Sequence, residues 1–104
     1  MRPSITASLG PTTGPVALWS DGAQAQRYDC EGNQKFYAGL LARLLTGAPA
    51  LQGRGLDLGC GSGFASEVLM REFPQVSWHG MDLSAPMLAR ARRKPELARV
   101  RFIH

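Results

Sequence analysis

The residues best suited to chemistry sit in the stretch LDLGCGSG, Leu56 to Gly63. Gly59, Gly61 and Gly63 alternate with other residues directly after a short apolar run that carries one carboxylate, Asp57. A Cβ at such positions would hold a ligand off the backbone or forbid the required dihedrals, so the spacing points to something lying close against bare main chain. A strand, a glycine loop and a helix in succession bring a ligand to the carboxyl ends of the strands, beside helix N-termini of partial positive charge. Spacing then narrows the ligand. A dinucleotide fingerprint reads G-x-G-x-x-G, whereas here the sixth position is Phe64 and the third glycine comes one residue early. No G-x-x-x-x-G-K occurs, which excludes a Walker-type phosphate cradle.

Two acids discriminate further. Asp57, two residues before the first glycine, would repel a pyrophosphate and attract a cationic ligand end, such as the ammonium group of an amino acid. Asp82 falls at the tip of the expected second strand, where a carboxylate can accept both hydroxyls of a ribose. Leu83 and Met87 follow it and offer an apolar face to a base. An acid for an ammonium, bare backbone beside it and a second acid for a ribose diol together describe S-adenosylmethionine.

LDLGCGSG taken with GMDLSAPML closely resembles motifs I and II of the class I, Rossmann-like S-adenosylmethionine-dependent methyltransferases, a resemblance running from about Trp19 to His104. It implies that Asp57, Gly59, Gly61 and the loop backbone at Leu58 and Cys60 contact the methionyl part of the cofactor, with Gly63 completing the glycine motif. It implies further that Asp82 holds the ribose hydroxyls while Leu83 and Met87 flank the adenine. Tyr28, in AQRYD, resembles the tyrosine of the N-terminal segment that often covers the cofactor in such enzymes. Cys60 has no histidine near it in sequence and reads as a loop residue, not a nucleophile; His79, within a strand, reads as packing. No catalytic base is assigned, and no metal: Cys30 and Cys60 are widely spaced free thiols without metal-ligand spacing.

The finer arrangement of RYD, LLARLL, LDLGCGSG, FPQV, MDLSAPML and ARRK resembles the biotin-pathway malonyl-carrier-protein O-methyltransferases, with quinone and trans-aconitate methyltransferases nearly as similar. That resemblance implies methyl transfer to the free carboxylate of a malonyl group on acyl carrier protein, or to another small acid. Motifs I and II report the donor, not the acceptor. Two other classes compete: an NAD-dependent oxidoreductase, against which Phe64 argues, and a non-catalytic RNA-binding module, for which the sequence lacks an aromatic–basic face.

The elements that must position these residues alternate. Residues 1–18, rich in Pro, Gly, Ser and Thr, read as a flexible leader, and residues 19–104 as the cofactor-binding part of a methyltransferase domain. One or two short helices fit between Trp19 and Glu31. In QKFYAGLLARLL, the residues Phe36, Tyr37, Leu40, Leu41, Leu44 and Leu45 recur at helical spacing as one apolar stripe, with Gly47 as a stop. Strand 1 is expected from about Gly55 to Leu58. A helix follows over FASEVLMREF with Ala65, Val68, Leu69 and Phe73 inward, then strand 2 in QVSWHGMDL. Ser84 should cap the next helix, with Pro86 in its first turn and Pro95 closing it, and ARVRFIH is strand 3. The order predicts an α/β fold: a Rossmann-like parallel sheet with helices on both faces. In the family's strand order, 3-2-1-4-5-7-6, these are strands 1 to 3. The chain is therefore expected to be the N-terminal part of a longer enzyme, inactive alone, with strand 1 an exposed edge and the acceptor pocket beyond His104.

At 104 residues the chain makes one domain at most, and its 44% hydrophobic and 19% charged shares fit a globular protein. No apolar run approaches the ~20 residues of a membrane span, and the first residues lack a secretory pattern, which points to the cytoplasm. The net charge of +4 raises the question of nucleic acid, but Arg90, Arg92, Arg93 and Lys94 gather at an expected helix end, where cations complement the dipole on a solvated face. Oligomeric state is left open.

Overall fold

A computed structural model describes residues 19–104, and the leader expected at residues 1–18 lies outside the described residues. In chain order come α1 (Gly22–Tyr28), α2 (Glu31–Leu44), β1 (Gly53–Leu58), α3 (Phe64–Glu72), β2 (Val76–Met81), α4 (Ala85–Arg92), a 3-10 turn (Pro95–Leu97) and β3 (Arg101–Ile103). The strands form one parallel sheet in the order β1-β2-β3. Parallel neighbours need a crossover, and α3 and α4 supply the two. This is the Rossmann-like α/β arrangement expected, and among the described residues β1 pairs on one side, with β2.

Local chemistry sets the element ends. The Asp21 carboxylate accepts the Ala23 N–H and starts α1. Ser84 starts α4 by accepting the Met87 N–H, with proline in the first turn, as its sequence predicts. That helix ends at Arg92, before Pro95, which opens the 3-10 turn instead of closing the helix. β1 begins at Gly53, two residues earlier than expected, because Gly53 and Arg54 find partners in Val76 and Ser77. β3 is shorter than ARVRFIH: only Arg101 to Ile103 pair, against His79 to Met81.

The core gathers Phe73, Trp78, Ala91, Leu97 and Val100, with Leu69, Val76 and Phe102 packed partly against it. The Trp78 indole N–H finds the Phe73 carbonyl at 3.3 Å, so this large ring is buried without an orphaned donor. On α3, Val68 is buried as expected, but Phe64 and Ser66 are the other buried positions, and Ala65 is half-buried on another side. α2 departs more. Its stripe forms at the predicted spacing, yet the helix has no buried residue, and Phe36 and Leu44 are 65% and 72% exposed. Tyr37 stacks on Phe64 and Leu45 packs against the core, but Phe36, Leu40 and Leu44 on the same stripe stay exposed.

Candidate functional site

A cavity of about 410 Å³ opens at the carboxyl ends of β1 and β2, walled by the loop after each strand and by aromatic rings from the N-terminal helices. The glycine loop is fastened to the end of β2, because the N–H groups of Gly59 and Cys60 both donate to the Met81 carbonyl, at 2.7 and 3.0 Å. Gly59 has φ +71, and a Cβ there would meet nothing within 4 Å. The glycine therefore leaves main chain bare to open space, in a conformation that L side chains rarely adopt.

Asp82 stands across from it. One carboxylate oxygen accepts the Gly61 N–H at 2.8 Å, and the other accepts the Ser84 N–H at 2.7 Å. The acid thus joins the glycine loop to the start of α4 and is held in one orientation, with acceptor capacity remaining on each oxygen. Leu83, 75% exposed, and buried Met87 continue the wall.

Tyr28 brings the aromatic side. Its ring lies 5.1 Å from Trp19 in an edge-to-face arrangement, 5.3 Å from Phe64 and 6.0 Å from Tyr37. Burial first, then the Tyr37 hydroxyl and the Asp29 charge, push the Tyr28 phenol up to about 12, so it is a neutral hydroxyl at working pH. The Cys60 thiol is pushed up to about 12 by burial and by the carboxylates of Asp57 and Asp82. It is a protonated, unreactive part of the wall.

Seven residues singled out from the sequence share this lining: Tyr28, Gly59, Cys60, Gly61, Asp82, Leu83 and Met87. Three lie outside it: Asp57, Leu58 and Gly63. Gly63 caps α3 at φ +95, and a Cβ there would sit 2.4 Å from Leu97 Cδ1, so helix packing accounts for this glycine. The Leu58 side chain is 74% exposed. Asp57 accepts the Ser66 hydroxyl at 2.7 Å. Burial raises its pKa above the ordinary 3.8; the Ser66 hydrogen bond works against this, and the nearby Asp82 charge adds to it. Among the described residues, neither Asp57 nor Asp82 has an ion-pair partner. Two uncompensated carboxylates beneath bare backbone favour a cationic ligand.

Sequence reasoning missed Trp19, Tyr37, Phe64, Ala65 and Ser84 as lining residues. Phe64 had registered only as a break in the dinucleotide pattern, Tyr37 as part of a helical stripe and Ser84 as a cap. The basic cluster also needs correction. Arg90 and Lys94 turn inward onto Asp29, at 2.7 and 2.6 Å, because that carboxylate is only 8% exposed and needs partners. Burial tends to raise the Asp29 pKa, yet the hydrogen bonds from Lys94 and Arg90 hold it below the ordinary 3.8. Arg92 and Arg93 remain exposed, as expected.

Residues 56–104 match a family described as a methyltransferase domain. A trans-aconitate 2-methyltransferase from Methylobacterium nodulans is 47% identical over 79 residues, which cover 76% of this chain and 29% of the relative. A Methanococcus maripaludis protein described as an S-adenosylmethionine-dependent methyltransferase shares the fold at a TM-score of 0.65 and 16% identity, over 92% of this chain and 45% of its own. The Haemonchus contortus phosphoethanolamine N-methyltransferase 2, solved with S-adenosyl-L-methionine, matches at a TM-score of 0.52 and 25% identity, over 89% of this chain and 24% of its own. The chain spans less than a third of the length of the curated relatives it matches, 14% and 29% in two of them.

Proposed function

Because residues 56–104 belong to the methyltransferase domain family and the chain has the class I, Rossmann-like fold, we propose that the cavity takes S-adenosylmethionine and that the protein methylates a small carboxylic acid. The observation that carries the donor reading is bare main chain at Gly59 beside the uncompensated carboxylates of Asp82 and Asp57. When bound, S-adenosylmethionine supplies a methyl group on a positively charged sulfur, already activated for displacement. The chain's own residues have simpler tasks. Asp82, fixed by two backbone N–H groups, accepts the ribose hydroxyls. Leu83 and Met87 present an apolar face to the base. Asp57, outside the lining, contributes negative charge from behind the loop, which favours the ammonium end of the ligand. Tyr28, Tyr37 and Phe64 keep water from the opposite side. Orientation of this kind can remove several kcal/mol, about 7 or more in favourable cases, from a bimolecular barrier.

For the acceptor, the relatives named trans-aconitate 2-methyltransferase favour a free polycarboxylate over the carrier-bound malonyl group suggested by the sequence. The two share their chemistry: an ionised carboxylate oxygen attacks the methyl carbon. A carboxylate is already deprotonated at neutral pH and needs no general base.

Calorimetric titration with S-adenosylhomocysteine tests the donor; binding should be unaffected by excess NAD and abolished by Asp82→Ala. Competition by NAD would favour the oxidoreductase reading. The acceptor is tested by offering trans-aconitate, malonyl-acyl carrier protein and a quinol to the whole protein with radiolabelled methyl donor. A base-labile methyl ester on trans-aconitate is expected, and a base-stable product would overturn the carboxylate reading.

A further inference from the structure

We infer that Lys94 is a positioning residue: its ammonium, pinned between Asp29 and the glycine loop, sets how firmly the aromatic side of the cavity holds the methyl donor. This rests on the donor reading above.

Lys94 does not line the cavity, but each of its contacts belongs to a different wall. Its Nζ lies 2.6 Å from Asp29 Oδ1 and 2.9 Å from the Ser62 carbonyl, and 4.7 Å from the centre of the Phe64 ring. Asp29 directly follows Tyr28, the residue that brings α1 to the cavity. Ser62 sits inside the glycine loop, and Phe64 opens α3 and faces the cavity. An ammonium offers three donors; here two reach oxygens and the charge rests against an aromatic face. One side chain, 18% exposed, therefore ties α1, the loop and α3 together.

This matters because, apart from the ring contacts of Tyr28 itself, few apolar contacts hold α1. Ala25 is its single buried residue. A short helix with so few apolar contacts opens locally at small free-energy cost. Polar fastenings at its two ends replace a core: Ser84 donates its hydroxyl to the Trp19 carbonyl at one end, and Arg90 joins Lys94 on Asp29 at the other. Release of the Asp29 end would free Tyr28 to swing away from Phe64. A bound donor would then escape faster while still entering at much the same rate, since most affinity changes of this kind appear in dissociation.

The test uses calorimetry and stopped-flow binding of S-adenosylhomocysteine to the intact protein and to Lys94→Gln, Asp29→Asn, the double variant and Lys94→Arg, at a temperature where circular dichroism shows all are folded. Each neutralising substitution should raise Kd about tenfold, almost wholly through faster dissociation. The double variant should be no worse than Asp29→Asn alone, since that single change already removes the Lys94 link together with that of Arg90. Lys94→Arg, which keeps the charge, should recover to within about threefold of wild type. Should Lys94→Gln fail to fold, Asp29→Asn reads the link from its other partner. Wild-type Kd and dissociation rate in folded variants, or losses that simply add, would overturn the inference. If wild-type protein itself fails to bind, the donor reading falls, and this inference with it.

Discussion

At the residue scale, Asp82 and Asp57 are both carboxylates at strand ends, yet their surroundings give them opposite consequences. Asp82 satisfies the N–H groups of Gly61 and Ser84, so Asp82→Ala orphans both donors. The variant should lose about 1–3 kcal/mol in urea unfolding, together with ligand binding. Asp57 is held at a cost. Its folded pKa lies above 3.8, so the fold prefers the protonated form, and its contribution to stability falls as pH rises from the unfolded value through the folded one. Asp57→Asn should therefore be more stable than wild type at pH 7, with the advantage shrinking below pH 3.8, while its affinity for S-adenosylmethionine drops. Equal stability at pH 7 would contradict this. Donor binding by wild type should likewise weaken on acidification before an ordinary aspartate would protonate. These acids and the glycines were legible because their meaning depends on local spacing. Lys94 and Asp29 were not. They meet across 65 positions, and no local pattern distinguishes an inward lysine at a helix end from a solvated one.

At the element scale, the decisive contacts lie where helices begin. Gly63 starts α3 with a left-handed backbone against Leu97. Gly63→Ala combines that strained dihedral with a clash and should cost about 3 kcal/mol by thermal or urea denaturation. Ser84→Ala removes both the α4 cap and the link to Trp19, and should cost about 1 kcal/mol. The starts of these helices were readable, since glycine and serine act through their own backbone neighbourhoods. Ends were less so: Pro95 was the obvious stop for α4, but the helix had already turned at Arg93. For α2, periodicity identified the apolar stripe from Phe36 to Leu45, but it could not tell that Tyr37 and Leu45 pack inward while Phe36, Leu40 and Leu44 stay exposed.

At the scale of the whole molecule, Phe36, Leu40 and Leu44 on α2 and the edge of β1 leave apolar surface open among the described residues, with Leu56 and Leu58 54% and 74% exposed. A preparation of residues 1–104 alone should self-associate with rising concentration in sedimentation. The double substitution Phe36→Lys and Leu44→Lys should shift it toward monomer at a cost of less than about 1 kcal/mol, since both side chains are exposed. The helix-strand alternation made a parallel sheet legible, while the order of its strands came from the family resemblance. The cavity's aromatic wall was not, because it is assembled from α1, α2 and α3 together. The far edge of the sheet has its own consequence. The Asp82 amide donates to the Ile103 carbonyl, and the His104 ring meets the Leu83 carbonyl at 3.0 Å. Asp82, proposed to hold the ribose, thus leans on the shortest strand, so occupancy and the intactness of that strand should reinforce each other. Deuterium uptake should record it: saturating ligand would slow exchange at Asp82 and also along Arg101 to Ile103, which lie outside the cavity lining.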